Sequence, residues 1–215
     1  MRKFFLAVIV LAFALAAGSP AHADTLYTLS SSGTLGSGPF GTVDVHQTSS
    51  TTATVTFTAN SGFLFLDSGI ADMNVNASSW VVSNFGGTAL PGFSGPLLSN
   101  GGSGIVDGLG TFNQTLTEVD GFGSALSTVS FTLTNTLGTW ASSANVLTPN
   151  SSGFSVAAHV GVCNTNPCED GSSGGFLTLT GFAGNGAVPT PEPSSLLLLG
   201  TGMLGIVTLL GRKLA

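Results

Sequence analysis

Positive charge is almost missing from this chain. Its four Lys and Arg residues stand at Arg2, Lys3, Arg212 and Lys213, and between them the only basic side chains are His22, His46 and His159. From Asp24 to Val188, the acids Asp24, Asp44, Asp67, Asp72, Asp107, Glu118, Asp120, Glu169 and Asp170 are spread thinly rather than gathered in a run. A surface without Lys or Arg cannot neutralise phosphate, which excludes nucleic acid as a partner. Direct electrostatic attraction to anionic lipid or anionic polysaccharide is excluded on the same ground. Charged residues of both signs make up 7% of the chain, against about 25% in ordinary soluble domains. Ser, Thr, Asn and Gly must supply the solubility instead.

Two other features are scarce. No apolar spacing of 3.6 residues runs long enough in the interior to argue for a helix, and no fixed-period repeat argues for a solenoid. Cysteine occurs twice, as Cys163 and Cys168 in "CNTNPC". In an exported chain such a pair is expected to close a small disulfide loop, with turn-forming Asn and Pro between the sulfurs.

Export itself is written at the start. Met1-Arg2-Lys3 is basic, Phe4 to Ala17 is apolar, and Ala21 and Ala23 form an A-x-A cleavage signal before Asp24. Residues 1–23 therefore read as a signal peptide removed by signal peptidase, with the mature chain starting at Asp24. Near the other end, Leu196 to Leu210 carries no charge, and Ser194 or Ser195 can cap a helix after Pro193. At about 1.5 Å per residue, a helix over 194–211 is just long enough for a hydrocarbon core of about 30 Å. Arg212 and Lys213 then act as a membrane stop in a basic cytoplasmic tail, 212–215.

The interior, 24–183, alternates with period two in several windows. "TATVTFTAN" sets Ala53, Val55 and Phe57 against Thr52, Thr54, Thr56 and Thr58, and "STVSFTLTN" sets Val129, Phe131 and Leu133 against Ser130, Thr132 and Thr134. "GTVDVHQ" places Val43 and Val45 together, and "GFLTLTGF" places Leu177 and Leu179 opposite Thr178 and Thr180. These are half-buried strands with threonine on the wet face. Shorter strands are expected in "TLYTLS", "GFLFLD", "SSWVVSNF", "FNQTLTEV" and "GFSVAAHVGV", and breaks in "SSGTLGSGPFG", "GGTALPGFSGP", "SNGGSG", "NSSG" and "DGSSGG". The pattern predicts an all-β, antiparallel sandwich or jelly roll. A Gly/Pro spacer, 184–193, follows as an extended chain free of internal hydrogen bonds.

That spacer ends in a recognisable order: Pro191-Glu192-Pro193, Ser194-Ser195, the span "LLLLGTGMLGIVTLLG", then Arg212-Lys213. Residues 188–215 closely resemble the PEP-CTERM sorting signal of exported bacterial proteins. The motif here reads "VPTPEP", with Thr190 before the first proline of the tripeptide. The resemblance implies processing by exosortase, a membrane-embedded transpeptidase-like enzyme, at or near Pro191, Glu192 and Pro193. It also implies transient anchoring by the C-terminal helix, delivery to the cell surface or extracellular space, and association with exopolysaccharide.

Chemistry has little material in the interior. His159, Cys163 and Cys168 are conceivable zinc ligands, but on a strand His159 and Cys163 stand about 13 Å apart. Glu118 and Asp120 share a strand face and are the pair that a secreted hydrolase would use. Asp67, Asp72, Asn74 and Asn76 in "LDSGIADMNVN" are oxygen donors suited to calcium, without the spacing of an EF-hand. Trp80, Trp140 and Tyr27 suit core packing better than sugar stacking. Asn76, Asn113 and Asn150 each open an N-x-S/T triplet, which carries little weight in a bacterial chain. The expectation is thus a non-enzymatic exported protein with no resident cofactor, structural or adhesive in a polysaccharide layer. A carbohydrate-binding module, calcium-dependent or not, is the alternative, ahead of a hydrolase.

Overall fold

The computed structural model describes residues 24–36, 38–90, 98–118, 125–168, 177–185 and 190–191. The expected signal peptide, 194–211 helix and basic tail lie outside them. Among the described residues no helix is long and apolar enough to cross a membrane. The strands are β1 (Thr25–Ser31), β2 (Gly41–Ser49), β3 (Thr52–Ala59), β4 (Phe63–Leu66), β5 (Ala71–Met73), β6 (Trp80–Ala89), β7 (Leu98–Val106), β8 (Gly110–Glu118), β9 (Ala125–Asn135), β10 (Val156–Cys163), β11 (Leu177–Asn185) and β12 (Thr190–Pro191). One 3-10 turn, Ser143–Asn145, is the only helical element among the described residues.

The all-β, antiparallel expectation stands, but the two separate layers of a sandwich do not form. Hydrogen bonding runs β1–β2–β3–β9–β4–β10–β11 and returns to β1, so the pairing closes a barrel. β10 makes the closure possible. It pairs β11 along one edge, while β4 and β5 share the other edge end to end. Two extensions leave the ring, β6 from the outer edge of β9 and β5–β8–β7 from β10.

Alternation explains the main core. Val43, Val45, Ala53, Val55, Phe57, Val129, Phe131 and Leu133 all point inward and are fully buried, while the threonines between them face out. Register then sets who meets whom: Val43 faces Phe57, and Phe57 faces Val129. Phe57 also meets the Phe65 ring edge-on at 6.1 Å and the Phe131 ring at 6.3 Å. Each such side chain removed from water contributes about 1.5–3 kcal/mol. Tyr27 and Trp140 join this core and Trp80 packs partly buried against it, as packing rather than stacking would have it.

Three local expectations are corrected. "SNGGSG" is strand rather than break, because Gly101 and Gly104 lie against Thr115 of β8. A Cβ at those positions would come within 2.6 and 2.8 Å of the Thr115 side chain, so glycine is what allows the strands to pair. Gly86 to Ala89, expected in a break, continue β6. Leu179 is exposed rather than inward, because that half of β11 pairs β10 alone, whereas β1 reaches only Gly184 and Asn185.

Cys163 and Cys168 form the expected disulfide, with Cα atoms 5.4 Å apart. The bridge packs with Leu90 and Leu177 against a small cluster of Leu64, Leu66 and Ala125. Closing so short a loop restricts the unfolded chain by about 2 kcal/mol. The double variant Cys163→Ser, Cys168→Ser should therefore unfold at lower urea concentration by that amount. An unshifted midpoint would show that the loop is held by its other contacts.

Candidate functional site

A cleft of about 430 Å³ opens where the chain leaving β5 meets β8, the end of β9 and the segment before β10. Its lining is Asn-rich and uncharged. Four asparagines from distant parts of the sequence converge there, each held by its own backbone contacts. Asn113 of β8 clamps Val75, donating from Nδ2 to the Val75 carbonyl at 2.9 Å and accepting the Val75 N–H at 2.7 Å on Oδ1. The Asn74 amide donates to the Thr148 carbonyl at 3.1 Å, and that of Asn76 to the Asn145 carbonyl at 2.9 Å. Asn135 ends β9, 6% exposed, and its Oδ1 accepts the Leu137 N–H. Behind this wall Trp140 donates its indole N–H to the Asn76 carbonyl at 2.8 Å, and Trp80 donates to Gln114 Oε1 at 2.9 Å. The tryptophans stiffen the site from behind.

The acidic candidates do not gather. Of the calcium set, Asn74 and Asn76 line the cleft while Asp67 and Asp72 lie elsewhere. Asp67 accepts the Glu118 backbone N–H at 2.8 Å. Asp72 sits mid-strand in β5 and turns away from the main core, opposite Ala157 of β10 and Thr115 of β8. Its carboxylate lies against Gly69, which Phe182 also approaches, and its ladder neighbour Ala157 belongs to a second apolar cluster with Val106, Leu109 and Phe112. Burial alone pushes its pKa up to about 8, and neither oxygen has a hydrogen-bond partner among the described residues. Burial likewise pushes the Tyr27 hydroxyl up to about 12, against an opposing hydrogen bond to Ser155. Among the described residues no three His, Cys, Asp or Glu side chains stand close enough to hold a metal.

Of the other residues of interest, some lie within the described residues and some do not. Glu118 is buried at the end of β8, facing Leu98 across the ladder; Asp120, Glu169 and Asp170 lie outside the described residues. His159 stacks on Phe182 at 4.7 Å, and its Nδ1 lies 2.6 Å from the Asp67 carbonyl. Because the cysteines are joined to each other, neither offers His159 a thiolate partner for zinc.

At the sorting end, β11 runs to Asn185, two residues into the segment expected as spacer. Farther on, the backbone of Thr190–Pro191 pairs with β1, Thr190 with Leu26 and Pro191 with Thr25. β12 thus prolongs the edge of β1 that β11 occupies at Leu29. The first proline of the tripeptide is brought beside Thr25, the neighbour of the expected cleavage point at Asp24. Asp24 is itself paired with His46 Nδ1 at 2.5 Å. Ala21, Ala23, Glu192, Pro193, Arg212 and Lys213 lie outside the described residues.

Asn135, Leu137 and Thr148 of the cleft escape a reading of the sequence, since a lone polar residue at a strand end looks like any turn former. Comparison with protein families matches residues 189–213 to the PEP-CTERM protein-sorting motif. No curated protein and no solved structure matches the chain.

Proposed function

We propose that the β-barrel is non-enzymatic cargo, which a C-terminal PEP-CTERM signal hands to exosortase for delivery to the cell surface or extracellular polysaccharide matrix, and that it serves there in a structural or adhesive role. The observation that carries this reading is the sorting motif over residues 189–213, which marks an exported, exosortase-sorted protein. The rest of the chain fits that service. A signal peptide would bring the barrel out, and the apolar span would hold the tripeptide at a set depth beside the outer leaflet for cleavage. A body without Lys or Arg leaves the membrane surface freely once cut. Its wet faces, such as Thr54 against Thr132 and Thr58 against Thr128, offer hydroxyls to a hydrated matrix.

Changing Glu192 tests the sorting step, because it is the one acid within the motif. Glu192→Gln should leave export intact and trap a membrane-bound precursor, with the released fraction falling roughly tenfold or more for a positioning contact of ordinary strength. Fractionation and immunoblotting of the producing cells read the outcome. Release at the normal rate would remove the role given to the motif.

A further inference from the structure

We infer that the asparagine-lined cleft between the end of β9 and the chain following β5 binds a neutral saccharide. This deepens the reading of the barrel as a matrix protein by naming what it holds, while the cleft's chemistry is independent of sorting. Asn135 carries the inference. It is 94% buried by its 6% exposure, lines the cleft, and its Nδ2 has no partner among the described residues. The Nδ2 atom opens toward Gly138 in the cleft, so a ligand oxygen there would take the place of water as its acceptor. Two other lining residues complement it. The Nδ2 atoms of Asn74 and Asn76 are tied to backbone carbonyls, which fixes both amides and leaves their Oδ1 atoms without a partner among the described residues.

The cleft therefore presents a fixed donor and two fixed acceptors. That pattern suits vicinal hydroxyls, each of which can donate and accept at once. Leu137, 77% exposed at the rim, supplies an apolar edge for the C–H face of a sugar ring. With no charged side chain in the lining, the site has nothing to neutralise a phosphate, a uronate or a cation. The volume is within the range of small-molecule sites.

The test is a titration of the purified mature protein with cellohexaose, laminarihexaose and a mannan oligosaccharide, alongside alginate as an acidic glycan, each with and without EDTA. Saturable binding to at least one neutral glycan is expected, unchanged by chelation and absent for alginate. Asn135→Leu removes the donor. Gly138→Val adds a side chain starting 3.4 Å from Asn135 Nδ2 and fills the cleft without deleting a group. Both should weaken binding roughly tenfold or more while the melting transition stays cooperative. Leu137→Asp, at an exposed position, gives the same readout should either buried variant fail to fold. Silence from all three neutral glycans, wild-type affinity in the folded variants, tighter binding of alginate, or loss of binding on chelation would each overturn the assignment. A Glu192→Gln variant that sheds normally would undo the sorting proposal and leave this titration unchanged.

Discussion

Raising the pH from 5 to 8 should weaken the folded protein steadily, and Asp72→Asn should abolish most of that loss. The carboxyl of Asp72 holds its proton up to about pH 8 in the native barrel, because burial penalises the charged form. In the unfolded chain the same group ionises near its ordinary value of 3.8. Between those two values the native state binds a proton that the unfolded state has released. Stability is therefore full below the unfolded pKa and declines as pH rises through the window, by up to about 1.4 kcal/mol per unit. His159, on the same face of β10, has its Nδ1 at the Asp67 carbonyl and stacks on Phe182. An asparagine of the same shape has no charge to bury. Urea denaturation of wild type and Asp72→Asn at pH 5, 6.5 and 8 isolates the contribution of this one group. Parallel pH profiles for the two proteins would mean that water reaches the Asp72 carboxylate.

Phe57→Ala should cost about 3–5 kcal/mol, the range for deleting a fully buried aromatic side chain. Phe57 is fully buried where β2, β3 and β9 face each other, with Val43 and Val129 opposite and the rings of Phe65 and Phe131 against it. The barrel is closed, so its walls cannot collapse into the space left behind. A loss of that size is a large fraction of a typical domain's total stability. Thermal unfolding should fall by about 10 °C or more. Ile105→Ala, at a side chain 84% exposed, is the matched control and should stay within about 0.5 kcal/mol of wild type. Equal effects from the two substitutions would displace the core from where β3 puts it.

Several elements were readable because one face of a strand in water must alternate. "TATVTFTAN" and "STVSFTLTN" became β3 and β9 with Ala53, Val55, Phe57, Val129, Phe131 and Leu133 inward. The same rule misled at Leu179, on the half of β11 that β1 does not reach, and missed β7, whose glycines answer to Thr115 on a strand eleven or more residues away in the chain. Asp72 looked like a calcium donor because sequence reveals its chemistry but not its surroundings. Four asparagines in one cleft could not be seen either, since Asn74, Asn113 and Asn135 are joined only through β5, β8 and β9.

What the amino-acid order settled by itself was local or compositional: the strand-forming alternation, the loop-closing cysteines, the missing cations and the sorting motif. Each depends on residues that are neighbours in the chain, or on a simple count. Only the folded barrel decided that β10 closes the ring, that Asp72 is desolvated, that Asn135 opens into a cleft, and that Pro191 returns to the side of Thr25. Those outcomes hang on strand register between distant segments, which side-chain packing chooses and no short window records.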